Sequence, residues 1–299
     1  MARPRLLAAF VMVLWALCYP LISLGLEDSP HLTFATMRGL LAGVTLLTIA
    51  RLTGARLPRS AAEWGWITLA GLGMTGLGYF GMFHAAEFVA PGLATVLESL
   101  QPLIAGMLAY IILKERMNRI GWLGLALGFL GVALITIPKL IDVGGGSTGL
   151  GLLFIALATT SVAVGNIAIK KIANQIEPAM AMGLQLIIGI VPIALIALAT
   201  ENPLSVNWTP KFTLSLLGLA LPGTALAFWL WQTALQSIDV SKAVAFSFLI
   251  PLLGISVGAL FFGETIGIST LVGVLLVSLG IYLATQQPKA NEPISPQKL

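Results

Sequence analysis

Charge is scarce in this sequence: lysine and arginine together number 16, aspartate and glutamate 12, in 299 residues. That is 9% of the chain, where a soluble domain carries about a quarter. So little charge excludes a domain that keeps a water-facing surface, and 58% hydrophobic residues place the chain in a bilayer. The single cysteine, Cys18, excludes a disulfide framework and a thiolate metal site. Two histidines, His31 and His84, far apart and without cysteine partners, make no metal set. No phosphate-binding loop is present, which argues against a primary pump. No His-Asp, Ser-His or His-rich cluster supports an intramembrane enzyme, and no re-entrant filter or ring-forming acidic motif supports a channel. The net charge of +4 would suggest nucleic acid in a soluble protein. Here the basic residues punctuate apolar segments, so no nucleic-acid partner is expected, and no cofactor or metal either.

What the sequence has in quantity is long apolar runs. A helix needs about 20 apolar residues to cross a hydrocarbon core of about 30 Å. Ten such segments are predicted, near 5–25, 32–50, 64–84, 91–113, 119–138, 149–169, 178–199, 212–234, 242–262 and 267–285. Polar punctuation separates them, as in "EDSPH", "GARLPRSAAE", "DVGGGSTG", "NQIEP" and "ENPLSVNWTPK". Residues 287–299 read as a disordered tail. With the N-terminus inside, Arg3, Arg5, Arg51, Arg56, Arg59, Lys114, Arg116, Arg119, Lys170, Lys171 and Lys242 fall on the cytoplasmic side, and only Lys139 and Lys211 fall opposite. The expectation is a multi-pass protein of the cell inner membrane, with both termini cytoplasmic and lipid around it.

Sliding the chain against itself by 149 positions superposes residues 79–136 on 228–285 without a gap. Pro102 meets Pro251, Glu115 meets Glu264, Gly124 meets Gly273, Gly131 meets Gly280 and Thr136 meets Thr285. The expected fold is all-α: ten transmembrane helices as two inverted five-helix repeats, residues 1–142 and 143–286. Each half holds an odd number of segments, so the second enters the membrane from the other side. Inverted repeats are the architecture of secondary transporters, with sites near the midplane and alternating access between the halves.

Several residues stand out inside the apolar segments. Glu98 and Gln101 are three apart in the fourth, on one face of a continuous helix. A carboxylate there costs several kcal/mol, about +2.5 to 3.5 on insertion scales, unless it meets a cavity or a partner. Their repeat mates are Ser247 and Ile250, so a carboxylate site would be asymmetric. Pro102 and Pro251 are expected to kink their helices and to serve as hinges, with a purely structural kink as the alternative. Tyr79, Trp229 and Trp231 are candidates to line a cavity, and Asn166 in the sixth segment is a further polar candidate or an interhelical bond. Trp15, Trp64, Trp66, Trp122 and Trp208 read as interfacial anchors. Arg38 reads as snorkelling toward the headgroups or pairing with Glu27 or Asp28, with carboxylate binding as the lesser reading. "GLGMTGLG" at 71–78 contains a G-x-G-x-x-G, but without a preceding strand it reads as helix packing rather than a dinucleotide site. Gly121, Gly124, Gly128 and Gly131 form a stripe that reads as a packing face.

The fourth segment of each half carries a proline and ends on a glutamate before a fifth: "LKERMNRIGWLGLALGFLGVALI" and "FGETIGISTLVGVLLVSLGIYLA". Over nearly the whole chain this arrangement resembles the EamA-type proteins of the drug/metabolite transporter superfamily, and among them the YddG-type exporters of aromatic and other neutral amino acids. The resemblance implies a carrier, not an enzyme, whose substrate is a small molecule such as an amino acid. The substrate-facing set would be Tyr79, Glu98, Gln101, Asn166, Trp229 and Ser247. A quaternary cation, drug or nucleoside exporter of the same fold stays open, as does a proton as coupling ion.

Overall fold

The computed structural model describes residues 2–88, 97–143, 149–253 and 267–285. Glu264, residues 91–96 of the fourth predicted segment, 254–262 of the ninth and the tail at 287–299 lie outside the described residues. Among the described residues every regular element is helical. In chain order, α1 is Ala2–Leu26, α2 is His31–Leu52 and α3 covers 61–88; α4 is Gln101–Leu113, α5 is Arg119–Val143 and α6 is Gly149–Ile172. Then follow α7, Pro178–Thr200, α8, Pro210–Leu235, α9, Val240–Leu253, and α10, Ile268–Thr285. By length and composition α1, α2, α6, α7, α8 and α10 are each able to cross a membrane.

Local chemistry fixes several of these ends. Ser60 and Glu63 form a reciprocal capping box at the start of α3. Glu177 accepts from the Met180 amide ahead of α7, and Thr209 accepts from the Phe212 amide ahead of α8; a proline follows each, in the first turn where its missing N–H costs nothing.

Two helices are widened in their middles. In α3 a π-helical turn, Gly71–Leu77, joins Ala61–Ala70 to Gly78–Phe88, and in α8 a π-helical turn, Leu221–Leu226, joins Pro210–Ala220 to Ala227–Leu235. The Thr224 hydroxyl donates to the Leu219 carbonyl, five residues back, at 2.8 Å, within the widened turn of α8.

With lipid as solvent, helices associate through close packing and polar bonds, and small residues govern how near they come. The principal pairs are α2 with α7, α5 with α10, α3 with α6 and α1 with α8, while α4 meets both α9 and α6. The predicted glycine stripe is a packing face. A Cβ on Gly124 would stand 2.7 Å from the Gly280 carbonyl oxygen, and one on Gly131 the same distance from that of Gly273. The glycines of "GLGMTGLG" act likewise. A Cβ on Gly71 would stand 2.5 Å from the Gln185 carbonyl oxygen of α7, and one on Gly73 2.7 Å from that of Ser161 in α6.

Candidate functional site

The π-helical turns of α3 and α8 each present a threonine to the helix that crosses them. From α3, Thr75 donates its hydroxyl to the Gln185 side-chain oxygen of α7 at 3.0 Å, and both residues are fully buried. From α8, Thr224 accepts from Nε of Arg38 in α2 at 2.7 Å, again buried. The sequence offset of 149 that aligned the prolines also superposes Thr75 on Thr224.

Arg38 was expected to snorkel or to pair with Glu27 or Asp28, and it does neither. Lys211 binds Glu27 at 2.5 Å, and Asp28 accepts from the Thr209 hydroxyl at 2.8 Å. The Arg38 side chain turns inward instead, 9% accessible, with its guanidinium carbon 5.3 Å from the centre of the Tyr79 ring. Tyr79 is itself 8% accessible, and the Arg38 guanidinium over its ring is the one that bonds Thr224. Tyr79 therefore belongs to a cluster with Arg38 and Thr224, at the meeting of α2, α3 and α8.

Glu98 and Gln101 do not share one continuous helix. Leu97 and Glu98 are helical, Ser99 and Leu100 form a turn, and α4 begins at Gln101 with Pro102 in its first turn. The expected mid-helix kink at Pro102 is thus a break, because a proline fits a first turn without loss of a hydrogen bond. Both side chains are half-buried, and neither has a hydrogen bond or ion pair among the described residues. Pro251 differs. It lies inside α9, three residues after a 3-10 turn at Ala245–Phe248. A proline offers no N–H to the carbonyl four residues earlier. For Pro102 that carbonyl belongs to Glu98, and for Pro251 to Ser247. The Ser247 hydroxyl donates to the Val244 carbonyl at 2.7 Å and stays half-buried.

The remaining candidates separate. Asn166 is 3% accessible; its side-chain oxygen accepts from the Trp231 indole at 2.7 Å, and its amide donates to the Val162 carbonyl at 3.0 Å. Asn166 is an interhelical bond between α6 and α8, one of the two readings its sequence position allowed. Trp231 is 2% accessible, and Trp15 packs on it at 5.6 Å and edge-on to Phe228 at 5.9 Å. Trp15 therefore faces the protein rather than the headgroups. Trp229, two residues from Trp231 and so on the opposite side of α8, is 41% accessible. Nothing among the described residues brings Trp229, Asn166 and Glu98 into mutual contact. A cleft of about 320 Å³ between α2 and α7, lined by Val44, Leu47, Thr48, Arg51, Leu57, Met180 and Leu184, touches none of the candidates.

Sequence reasoning missed the helix-end clamps. Glu115 accepts from the Val240 amide at 2.8 Å and from the Ser241 amide and hydroxyl at 3.1 and 2.9 Å, closing the start of α9. Glu201 does the same for α2, accepting from the Leu32 amide at 2.9 Å and from the Thr33 amide and hydroxyl at 2.7 Å each. Lys170 donates to the Leu235 and Ile238 carbonyls at 2.5 and 2.7 Å beyond the end of α8. Each charge satisfies the helix pole opposite to it in sign. The signal for Glu115 was its match to Glu264 at the offset of 149, which does not say what the carboxylate holds.

The sequence profile of the EamA-like transporter family matches residues 3–137 and 149–286. An uncharacterised transporter of Bacillus subtilis, YvbV, is 31% identical over 97% of this chain and 94% of its own. A protein of Salmonella typhimurium described as a "Probable amino-acid metabolite efflux pump" is 29% identical over 93% of each chain. A solved crystal structure superposes with a TM-score of 0.81 over 95% of this chain and 97% of that one, at 18% identity, a likeness of fold alone.

Proposed function

The chain belongs to the EamA-like transporter family, and from that premise we propose a secondary carrier that exports aromatic and other neutral amino acids across the inner membrane by alternating access. It is a membrane transporter and not an enzyme. In this reading α1 to α5 and α6 to α10 are inverted repeats, residues 1–142 and 143–286, with both termini in the cytoplasm.

One observation carries the reading. Exchanging each helix for the one five places along maps the packing onto itself: α2 with α7, α5 with α10 and α4 with α9 each return, while α1 with α8 becomes α6 with α3. The Thr75–Gln185 bond likewise becomes the Thr224–Arg38 bond. A molecule so built has two arrangements related by exchange of its halves, which is what alternating access requires. The amino-acid efflux description of the Salmonella relative supports the substrate class.

Glu98, Gln101 and Ser247 flank the two proline sites, and Tyr79 and Trp229 supply aromatic surface. The Glu98 carboxylate is the acceptor for the substrate ammonium, with Gln101 beside it, and the break before Pro102 and the proline inside α9, Pro251, let α4 and α9 swing between states. Asn166 holds α6 to α8 through its bond to Trp231.

The test is uptake of labelled phenylalanine, threonine, a nucleoside and a quaternary cation into liposomes holding the purified protein, with and without a pH difference. Saturable entry of a neutral amino acid is expected, reduced at least tenfold by Glu98→Gln. Entry of the cation or nucleoside in its place would overturn the substrate class. Undiminished transport by Glu98→Gln at every pH would remove Glu98 from the site, and unchanged turnover in Pro251→Ala would remove the hinge.

A further inference from the structure

We propose that Arg38 forms a carboxylate-binding site, taking the anion on the edge of its guanidinium that Thr224 leaves open. A guanidinium stays charged in any protein setting, and buried charges are ordinarily paired. Arg38 is 9% accessible, two turns inside a helix able to cross the membrane, yet among the described residues no carboxylate pairs with it. Both acids within sequence reach, Glu27 and Asp28, bind Lys211 and Thr209 instead.

Of its five N–H donors, Thr224 engages only the one on Nε. The four on the two Nη atoms have no acceptor among the described residues. They form a planar fork that matches a carboxylate two-by-two, which a lysine in the same place could not do. The Tyr79 ring beneath holds the fork's orientation through the cation–π contact at 5.3 Å. At the other crossing the side chain that reaches the threonine is Gln185, which is neutral and bound to Thr75. Only one half therefore offers the charge, as expected for a ligand with one carboxylate. Apolar Leu32, Ala35, Ile190 and Ile193 cluster with Tyr79, so the anion that fits is a small monocarboxylate with an apolar or aromatic body. For an amino acid this would be the α-carboxylate; that extension rests on the amino-acid reading above, whereas the site itself does not.

The experiment separates the two. Binding of radiolabelled phenylacetate to the purified protein is measured by scintillation proximity, with phenylacetamide and phenethylamine as competitors. The parent should bind phenylacetate and prefer it to the amide by at least tenfold. Arg38→Gln should weaken binding at least thirtyfold, and Arg38→Lys, which keeps the charge but loses the fork, by about threefold to tenfold. No saturable phenylacetate binding by the parent, or equal competition by the amide, would overturn the proposal. So would parental affinity in Arg38→Lys or Arg38→Gln accompanied by a lower melting temperature, the signature of a residue that only ties helices together. If Arg38→Gln fails to fold, the amide comparison and Arg38→Lys still decide. Arg38-dependent phenylacetate binding by a protein that carries no amino acid into liposomes would support this site and sink the substrate assignment.

Discussion

The crossing of α3 with α7 and the crossing of α8 with α2 are built from the same parts and finished differently. Each has a π-helical turn, a buried threonine within it and a long polar side chain reaching across. At the first crossing the chain approaches backbone to backbone: a Cβ on Gly71 would meet the Gln185 carbonyl oxygen, and one on Gly189 would meet Gly71. The bond that closes it is neutral. At the second crossing, among the described residues, no glycine of either helix abuts the other: a Cβ on Gly223 of α8 would meet the Cys18 sulfur of α1, and one on Gly39 of α2 would meet the Ile190 side chain of α7. The bond that closes that one carries a full charge. The difference teaches that one framework, seen at two crossings, carries two chemistries. The tight neutral crossing serves as a weld, and the charged one carries the donors that the proposed carboxylate would meet.

The largest effect should come from breaking the weld. Gly189→Ala drives its methyl group against the Gly71 backbone and to 2.6 Å from the Thr75 Cβ, neither of which can swing aside. We expect a loss of about 3 kcal/mol, the upper end of overpacking costs, seen as a fall in the melting temperature of the purified protein. Gly39→Ala meets only the end of Ile190, which can change rotamer, and should cost about 1 kcal/mol or less. Equal losses at the two positions would mean that the backbone contact at the weld counts for no more than a side-chain contact elsewhere.

The bonds come next. Thr224→Val removes the Nε acceptor and leaves a buried guanidinium with one donor more unmet. A loss of about 1.7 kcal/mol is expected, the upper end for a hydrogen bond between membrane helices. Added phenylacetate should restore part of the lost melting temperature in Thr224→Val, because the ligand gives the charge a partner. A variant equally destabilised with and without the ligand would place Thr224 in the framework alone.

Much of this was legible in the sequence, and the exceptions have physical causes. The helix α7 was expected at 178–199 and runs Pro178–Thr200; α8 was expected at 212–234 and runs Pro210–Leu235. Long apolar runs bounded by capping residues and prolines leave little freedom there. Near Pro102 the sequence announced a disturbance but not its form. A missing N–H permits either a kinked helix or a fresh start, and neighbours decide which. The π-helical turns were hidden for a related reason, since an extra residue in a turn is selected by how closely α6, α7 and α2 approach. Trp229 and Trp231 were both candidates for the interior, but residues two apart on a helix face opposite ways, and only the packing of α8 against α1 and α6 reveals which one turns inward. Arg38 was visible as an intramembrane charge. Its long side chain can run along the helix or across it, so its direction had to be seen.

The smallest effect is the sharpest check on the weld. Thr75→Val alone deprives the Gln185 oxygen of its donor in a place no other group reaches, and should cost about 0.6 kcal/mol, the average for such bonds. The Gln185 amide nitrogen already lacks a partner among the described residues, so the side chain is only half satisfied to begin with. Replacing both residues, Thr75→Val with Gln185→Leu, removes the unmet groups together with the bond, and removing both partners can be neutral or stabilising where removing one is not. The double variant should melt at or above the parental temperature and transport at the parental rate, because the Thr75–Gln185 crossing holds no charge for a substrate. A double variant that folds as well as the parent but no longer transports would mean that Gln185 works on the ligand too, and that the two crossings are alike in function as well as in form.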